Sequence, residues 1–417
     1  MTTINDTKKD KIFTREFLLL AFSAFFVSNN FYSLLTTVPL YSMRILKLSE
    51  AEAGLATGLF VAGMLCSRFT AGKLTEKLGF RVMLIFNLVC LIAFTMVYPN
   101  IETATSLYIL RVASGFFFGL LNNTLITIAS SIIPKSRTGE GVGYYSMIQM
   151  TAWATGPYYS IVFANRGDYN SIFLIDTICP IIVLAMMPFL RMDRIRAAIK
   201  RGEEPSDANH IEASTLQNPP VRKDNFLSNV IEISVLPVAL VCMFIIMYNS
   251  AVTSFVAPYA ETIGLTESAS VFFVFYVAGL ICTRPLVSKL FDKKGATFVF
   301  VPGVILFAGS YLVLATVNSH FSLMFAAVLL GAGLGACQNT TLSLAVSIVP
   351  RRRLSFANAT YFAAFDTCAS IGPIFAGLLI PIVGYRYMFA IGAIWTIIGL
   401  PVYLLITRKL ISRNYSI

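Results

Sequence analysis

The sequence predicts an all-α membrane protein, with twelve transmembrane helices in two pseudo-symmetric halves of six. Three observations predict it. The first is composition: 56% of the 417 residues are hydrophobic, 13% are charged and mean hydropathy is +0.73. Those are membrane values, and the hydrophobic share is close to the roughly 240 residues that twelve spans of about 20 need. The second is an internal repeat. Residues 61–79 recur at 277–295, with Val61/Val277, Gly63/Gly279, Cys66/Cys282, Arg68/Arg284, Lys73/Lys289 and Gly79/Gly295 all 216 positions apart. The same offset relates Gly115 to Gly331, Asn123 to Asn339, Pro134 to Pro350 and Pro157 to Pro373. The third is charge placement. Alternating the loops by side after each span gathers almost all basic loop residues on one side and leaves Arg44, Lys47, Arg166 and Arg386 on the other. The net charge of +11 therefore reads as a positive-inside signature rather than a nucleic-acid patch, with both termini in the cytoplasm.

The spans are expected near 17–41, 52–71, 81–99, 105–132, 142–164 and 170–190 in the first half. In the second they are expected near 230–257, 268–288, 297–316, 321–348, 357–382 and 387–407. In hydrocarbon only helices and closed barrels satisfy their own backbone, and these runs lack strand alternation. No secretory signal is read ahead of the first span, because residues 1–16 are polar and the apolar run after them is too long for one. Residues 191–229 are polar, with Glu203, Glu204, Pro205, Pro219 and Pro220, and read as a cytoplasmic linker that is disordered beyond an amphipathic start. The expected division is 1–190 for the N-terminal half, 191–229 for the linker and 230–417 for the C-terminal half. All seven cysteines lie in apolar stretches and read as small buried hydrophobes rather than disulfide or metal ligands. No cofactor or metal is expected.

Two parallel six-span halves joined by a long cytoplasmic loop resemble the major facilitator superfamily. The resemblance is specific at Gly72-Lys-Leu-Thr-Glu76-Lys-Leu-Gly79-Phe-Arg81, which is similar to that family's loop motif, with Glu76 where aspartate is usual. The second copy keeps the acid as Asp292 and the glycine as Gly295, but has Ser288 for the first glycine. Small Gly72 allows close helix approach, Gly79 can take positive φ, and each carboxylate sits near a helix start. The resemblance implies a conformational latch of Gly72, Glu76, Gly79, Arg81, Asp292 and Gly295, which joins the halves on the cytoplasmic side in the outward-open state. Arg111 followed by Gly115 and Gly119 resembles a motif of the drug:proton antiporter branch, and Gly156-Pro157 resembles the start of another. Tyr158, Tyr159 and Ser160 stand where that second signature continues with glycine.

Features shared by both halves fit a scaffold, whereas features confined to one half are candidates for function. Arg111 corresponds to Ala327, Asp366 to Met150 and Asp176 to Gly392. A charge at the centre of a membrane helix costs about 2.5–3.5 kcal/mol on insertion scales, so Arg111, Asp366 and Asp176 are the coupling candidates. Arg111 either snorkels to the outer interface or faces inward with its glycine stripe. Asp366 either titrates or pairs with Arg284 or another polar neighbour. A helix-packing role is the leading reading for Asp176. Arg68 and Arg284, present in both halves, are expected to snorkel or to brace the latch.

The resemblance implies a pocket between the halves on spans one, four, seven and ten. These carry Asn29, Asn30, Tyr32, Asn122, Asn123, Tyr248, Asn249, Gln338 and Asn339, with half of them expected to face it. Amides with aromatics suit an amphipathic organic molecule. The leading expectation is a monomeric secondary transporter of the bacterial cytoplasmic membrane that exports such compounds in exchange for protons. A nutrient importer on the same fold is the alternative, and a membrane receptor is the non-transporting one. Neither a clustered His/Cys site nor a GxxxxGK[ST] phosphate loop is present in the sequence, which disfavours an enzyme and direct ATP drive.

Overall fold

A computed structural model describes residues 12–134, 137–191, 232–349 and 354–414. Among them the chain is almost wholly helical, without a strand. The first half holds α1 (Arg15–Arg44), α2 (Glu50–Leu78), α3 (Phe80–Val97), α4 (Ala104–Ile132), α5 (Thr138–Asn165) and α6 (Tyr169–Met186). The second holds α7 (Leu236–Thr262), α8 (Thr266–Lys294), α9 (Ala296–Ala315), α10 (His320–Ser347) and a final segment, Leu354–Asn414. Gly384, at φ +78 and ψ +166, breaks that segment into α11 (354–383) and α12 (385–414). Ten described segments are long and apolar enough to cross a membrane. One of these spans both α11 and α12, and α5 is missing because Gly141, Gly143, Gln149 and Thr151 dilute its apolar character. Twelve membrane helices follow.

Helix starts come from local chemistry. Ser49 and Glu52 form a capping box at α2, and Thr14, Thr103 and Asp168 cap α1, α4 and α6, each satisfying an amide the helix leaves free. The α7 helix begins at Leu236, later than expected, with Pro237 in its first turn, where a missing N–H costs nothing. The turns into α3 and α9 rest on Gly79 at φ +77 and Gly295 at φ +83, a conformation that side chains with a Cβ rarely adopt. Arg81 is exposed just beyond the first of these turns. The side chains of the other latch positions, Gly72, Glu76 and Asp292, lie outside the described residues, as does the expected linker apart from Arg191.

In the first half α1 packs on α5 and α6, α2 on α4, and α3 on α4 and α6. In the second, α8 and α9 pack on α10, and α7 packs on the α11–α12 segment. The halves meet where α2 lies along α11 and where α5 lies along α8, with α1 touching α7. The 216-residue repeat exchanges these two long seams, since α2 corresponds to α8 and α11 to α5. Ile109, Leu174, Ile305, Ile382 and Leu405 are exposed, which is the apolar outer surface a bilayer requires. Two cysteines depart from expectation: Cys66 and Cys282, a repeat pair, are exposed, because their positions turn outward from their helices.

Candidate functional site

The seam between α2 and α11 is built on small residues. A Cβ on Gly54 would lie 2.2 Å from the Pro373 carbonyl oxygen, one on Gly58 2.5 Å from that of Ser370, and one on Gly377 2.3 Å from that of Glu50. The helices therefore touch backbone to backbone, and the Ser370 hydroxyl donates to the Gly58 carbonyl at 2.7 Å. Further along this seam, Arg68 of α2 donates through Nε to the Asp366 carboxylate of α11, forming an ion pair across the halves. The Asp366 side chain is 5% exposed and that of Arg68 27%, and the guanidinium lies 5.9 Å from the centre of the Phe362 ring. Arg68 thus neither snorkels nor serves only the latch. Its partner is 298 residues away, and the sequence offered no signal for it beyond two charges on apolar helices.

Aromatic contacts join the halves on the other seam. Tyr32 of α1 stacks on Trp153 of α5 with centroids 5.1 Å apart, and Trp153 meets Tyr276 of α8 edge-on at 5.2 Å. The Tyr276 hydroxyl donates to Asn249 Oδ1 of α7 at 3.2 Å. The ion pair and this aromatic ladder both lie between the halves. Among the described residues, the buried Trp153 indole N–H has no hydrogen-bond partner. Trp153 and Tyr276 went unrecognised in the sequence because each sits among other apolar residues and neither has an identical repeat mate.

At the bundle end away from the termini, Arg44 of α1 pairs with Glu261 of α7 at 2.8 Å. Asn165 donates to the Thr266 carbonyl at 3.2 Å. The contacts described between the halves run from that end to the centre.

The remaining candidates are distributed as follows. Arg111 is fully buried inside the first half, donating to the Ala56 carbonyl at 3.0 Å and to the Tyr98 hydroxyl at 3.3 Å, with its guanidinium 4.3 Å from the Phe60 ring centre. Its glycine stripe faces α2: a Cβ on Gly115 would lie 2.0 Å from the Phe60 carbonyl oxygen. Gly331 makes the same approach to Tyr276 in the second half, so the stripe is a packing device used twice. Asp176 accepts from the Ser33 hydroxyl at 2.8 Å and the Tyr159 hydroxyl at 2.5 Å, a buried network joining α1, α5 and α6. Gly156 and Gly372 likewise seat α5 on α1 and α11 on α7.

Of the proposed pocket residues, Asn30 is buried against Thr95 and the Asp176 carbonyl. Tyr248 is buried among Tyr311, Phe375 and Trp395 within its own half. Asn29 accepts from Thr155 at 3.3 Å, and Asn122 accepts from Gln149 at 3.2 Å. Tyr32, Asn122, Asn123, Gln338 and Asn339 are half-buried and Asn249 is buried. A groove of about 550 Å³ between α2 and α4, lined by Leu59, Gly63, Cys66, Ile109, Val112 and Phe116, opens on the apolar outer surface.

A family model described as Major Facilitator Superfamily matches residues 20–317 and 239–416, nearly the whole chain. The chain belongs to the major facilitator superfamily. It is a multi-pass integral membrane transporter and not an enzyme. An uncharacterised MFS-type transporter of Methanocaldococcus jannaschii is 23% identical over 86% of this chain and 90% of that protein. A multi-drug resistance efflux pump PmrA homolog of Lactococcus lactis is 25% identical over 94% and 96%. Among solved structures, a POT family transporter in complex with a thioalcohol-conjugated peptide superposes with a TM-score of 0.75, at 14% identity over 95% of this chain and 96% of that one. The nucleoside transporter NupG gives 0.73 at 10% identity, over 94% and 99%. These two superpositions establish the superfamily fold.

Proposed function

We propose that this transporter exports small amphipathic organic compounds in exchange for protons, working as a monomer by alternating access in the cytoplasmic membrane. The observation that carries the reading is the buried Arg68–Asp366 pair across the α2–α11 seam. A proton on Asp366 removes the charge that makes this contact strong, so proton uptake and separation of the halves act on one bond. The organic molecule would sit beside it, against Tyr32, Trp153 and Tyr276. Export is supported by the likeness to the Lactococcus efflux pump homolog. One charge across 100 mV supplies about 2.3 kcal/mol, enough for a gradient of roughly fiftyfold. With both termini in the cytoplasm, the Arg44–Glu261 pair lies at the outer end and would hold it closed. Glu76 and Asp292 are the acids that would secure the outward-open state.

Flux in liposomes tests the coupling. Asp366→Asn should abolish uphill transport of a cell-permeant dye under an imposed pH gradient while sparing downhill exchange. Full, normally pH-dependent uphill transport by that variant would remove Asp366 from the mechanism.

A further inference from the structure

The two seams are equivalent by the repeat, yet their charges are not. On α2, Arg68 finds Asp366 of α11. The symmetry mate of Arg68 is Arg284 of α8, and the mate of Asp366 is Met150 of α5. By the repeat, the position that an acid holds opposite Arg68 is a methionine opposite Arg284. It is half-buried, and among the described residues its Nε is fully enclosed with no hydrogen-bond partner. Asp366 is already held by Arg68.

The surroundings of Arg284 suit an incoming anion. A Cβ on Gly335 of α10 would lie 3.2 Å from the Leu280 carbonyl oxygen and 3.6 Å from Thr283 Cβ. That contact puts the next turn of α10, with Gln338 and Asn339, at the depth of Arg284. Both amides are half-buried, and Gln338 continues the Gly331–Gly335 stripe at helical spacing on the α8 side. Trp153, whose indole N–H also lacks a partner among the described residues, lies one turn of α5 beyond Met150. An unpaired guanidinium, with two amides at its depth on one neighbouring helix and an indole donor on the other, is a recognition set for a carboxylate on an aromatic or aliphatic body.

We propose that Arg284 is the substrate's anion site and that the transported compound carries a carboxylate, which takes the place left by Met150. This rests on the transport reading above and narrows its substrate class from amphipathic molecules in general to amphipathic organic anions. A cationic compound would face an unneutralised arginine and be disfavoured.

The test uses three probes with one ring system, naphthoate, naphthamide and naphthylmethylamine, bound to the purified full-length protein in lipid-free detergent. Naphthoate should bind at least about tenfold more tightly than naphthamide, the ratio expected for hydrogen bonds to a charged group, and the amine most weakly. Arg284→Met should erase that preference and leave naphthamide binding as it was. Met150→Asp should erase it too, by giving Arg284 an internal partner like that of Arg68, and it serves where Arg284→Met does not fold. Absence of a carboxylate preference in the wild type, absence of naphthoate binding, or a preference that survives these substitutions would overturn the proposal. A repeat in phosphatidylcholine vesicles with and without phosphatidylglycerol separates the sources of the anion. If phosphatidylglycerol displaces naphthoate, the site takes a lipid headgroup and the proposal falls. Flux of neutral or cationic dyes without carboxylate preference would sink this inference alone, whereas naphthoate binding with no flux of any compound would sink the export reading instead.

Discussion

Removing Arg68 should be far more harmful than removing Arg68 and Asp366 together. The Asp366 side chain is 5% exposed, so Arg68→Met strands a carboxylate with little access to water. Breaking a buried pair in this way costs about 3–5 kcal/mol. The opposite single change, Asp366→Leu, strands a guanidinium that is 27% exposed and retains the Phe362 ring. Its cost should therefore be smaller, about 1–3 kcal/mol. With both charges replaced, no group is left uncompensated. The double variant should fall within about 1 kcal/mol of wild type, as apolar replacements of buried pairs do. The implied coupling is at least about 3 kcal/mol, read by urea unfolding of the four proteins in one mixed-micelle system. Additive single effects, or a double variant as unstable as Arg68→Met, would refute the claim that the two side chains hold each other across the seam. By the repeat, the chain carries the one-sided combination itself, with Arg284 and Met150 at the positions equivalent to Arg68 and Asp366.

Two further predictions concern packing and the outer end. Gly115→Ala forces a Cβ to within 2.0 Å of the Phe60 carbonyl oxygen and should destabilise by about 1–3 kcal/mol. Gly143→Ala, with nothing within 4 Å, should be neutral or stabilising by up to about 1 kcal/mol; equal melting temperatures for the two variants would contradict the packing described for α2 and α4. Glu261→Gln weakens the Arg44 pair, whose side chains are 22% and 49% exposed, so the stability loss should stay below about 1 kcal/mol. The state populations should nevertheless shift, and labelling of a cysteine placed at Asn165 should rise up to roughly fivefold; unchanged labelling would show that this pair does not hold the outer end shut.

The sequence by itself determined the membrane class, the two halves and their register. Each depends on local or translational properties: the length and apolarity of a run, and an identity repeated at a fixed offset. It also marked Arg111, Asp176 and Asp366 as charges confined to one half. Only the tertiary structure decided what those charges touch. Helical spacing shows that Arg111, Gly115 and Gly119 share a face, but the face is covered by α2, so a stripe that resembles a functional motif is a packing surface here. Asp176 belongs to a hydrogen-bond network because α1 and α5 bring Ser33 and Tyr159 to it. Arg68 and Arg284 are identical letters in equivalent places, and in sequence they read alike. Their difference arises across the seams, where an acid 298 residues away completes one arginine and, among the described residues, the other has no hydrogen-bond partner at Nε. Whether a buried charge is paired depends on the helix packed against it, and no periodicity along a single chain segment encodes that neighbour.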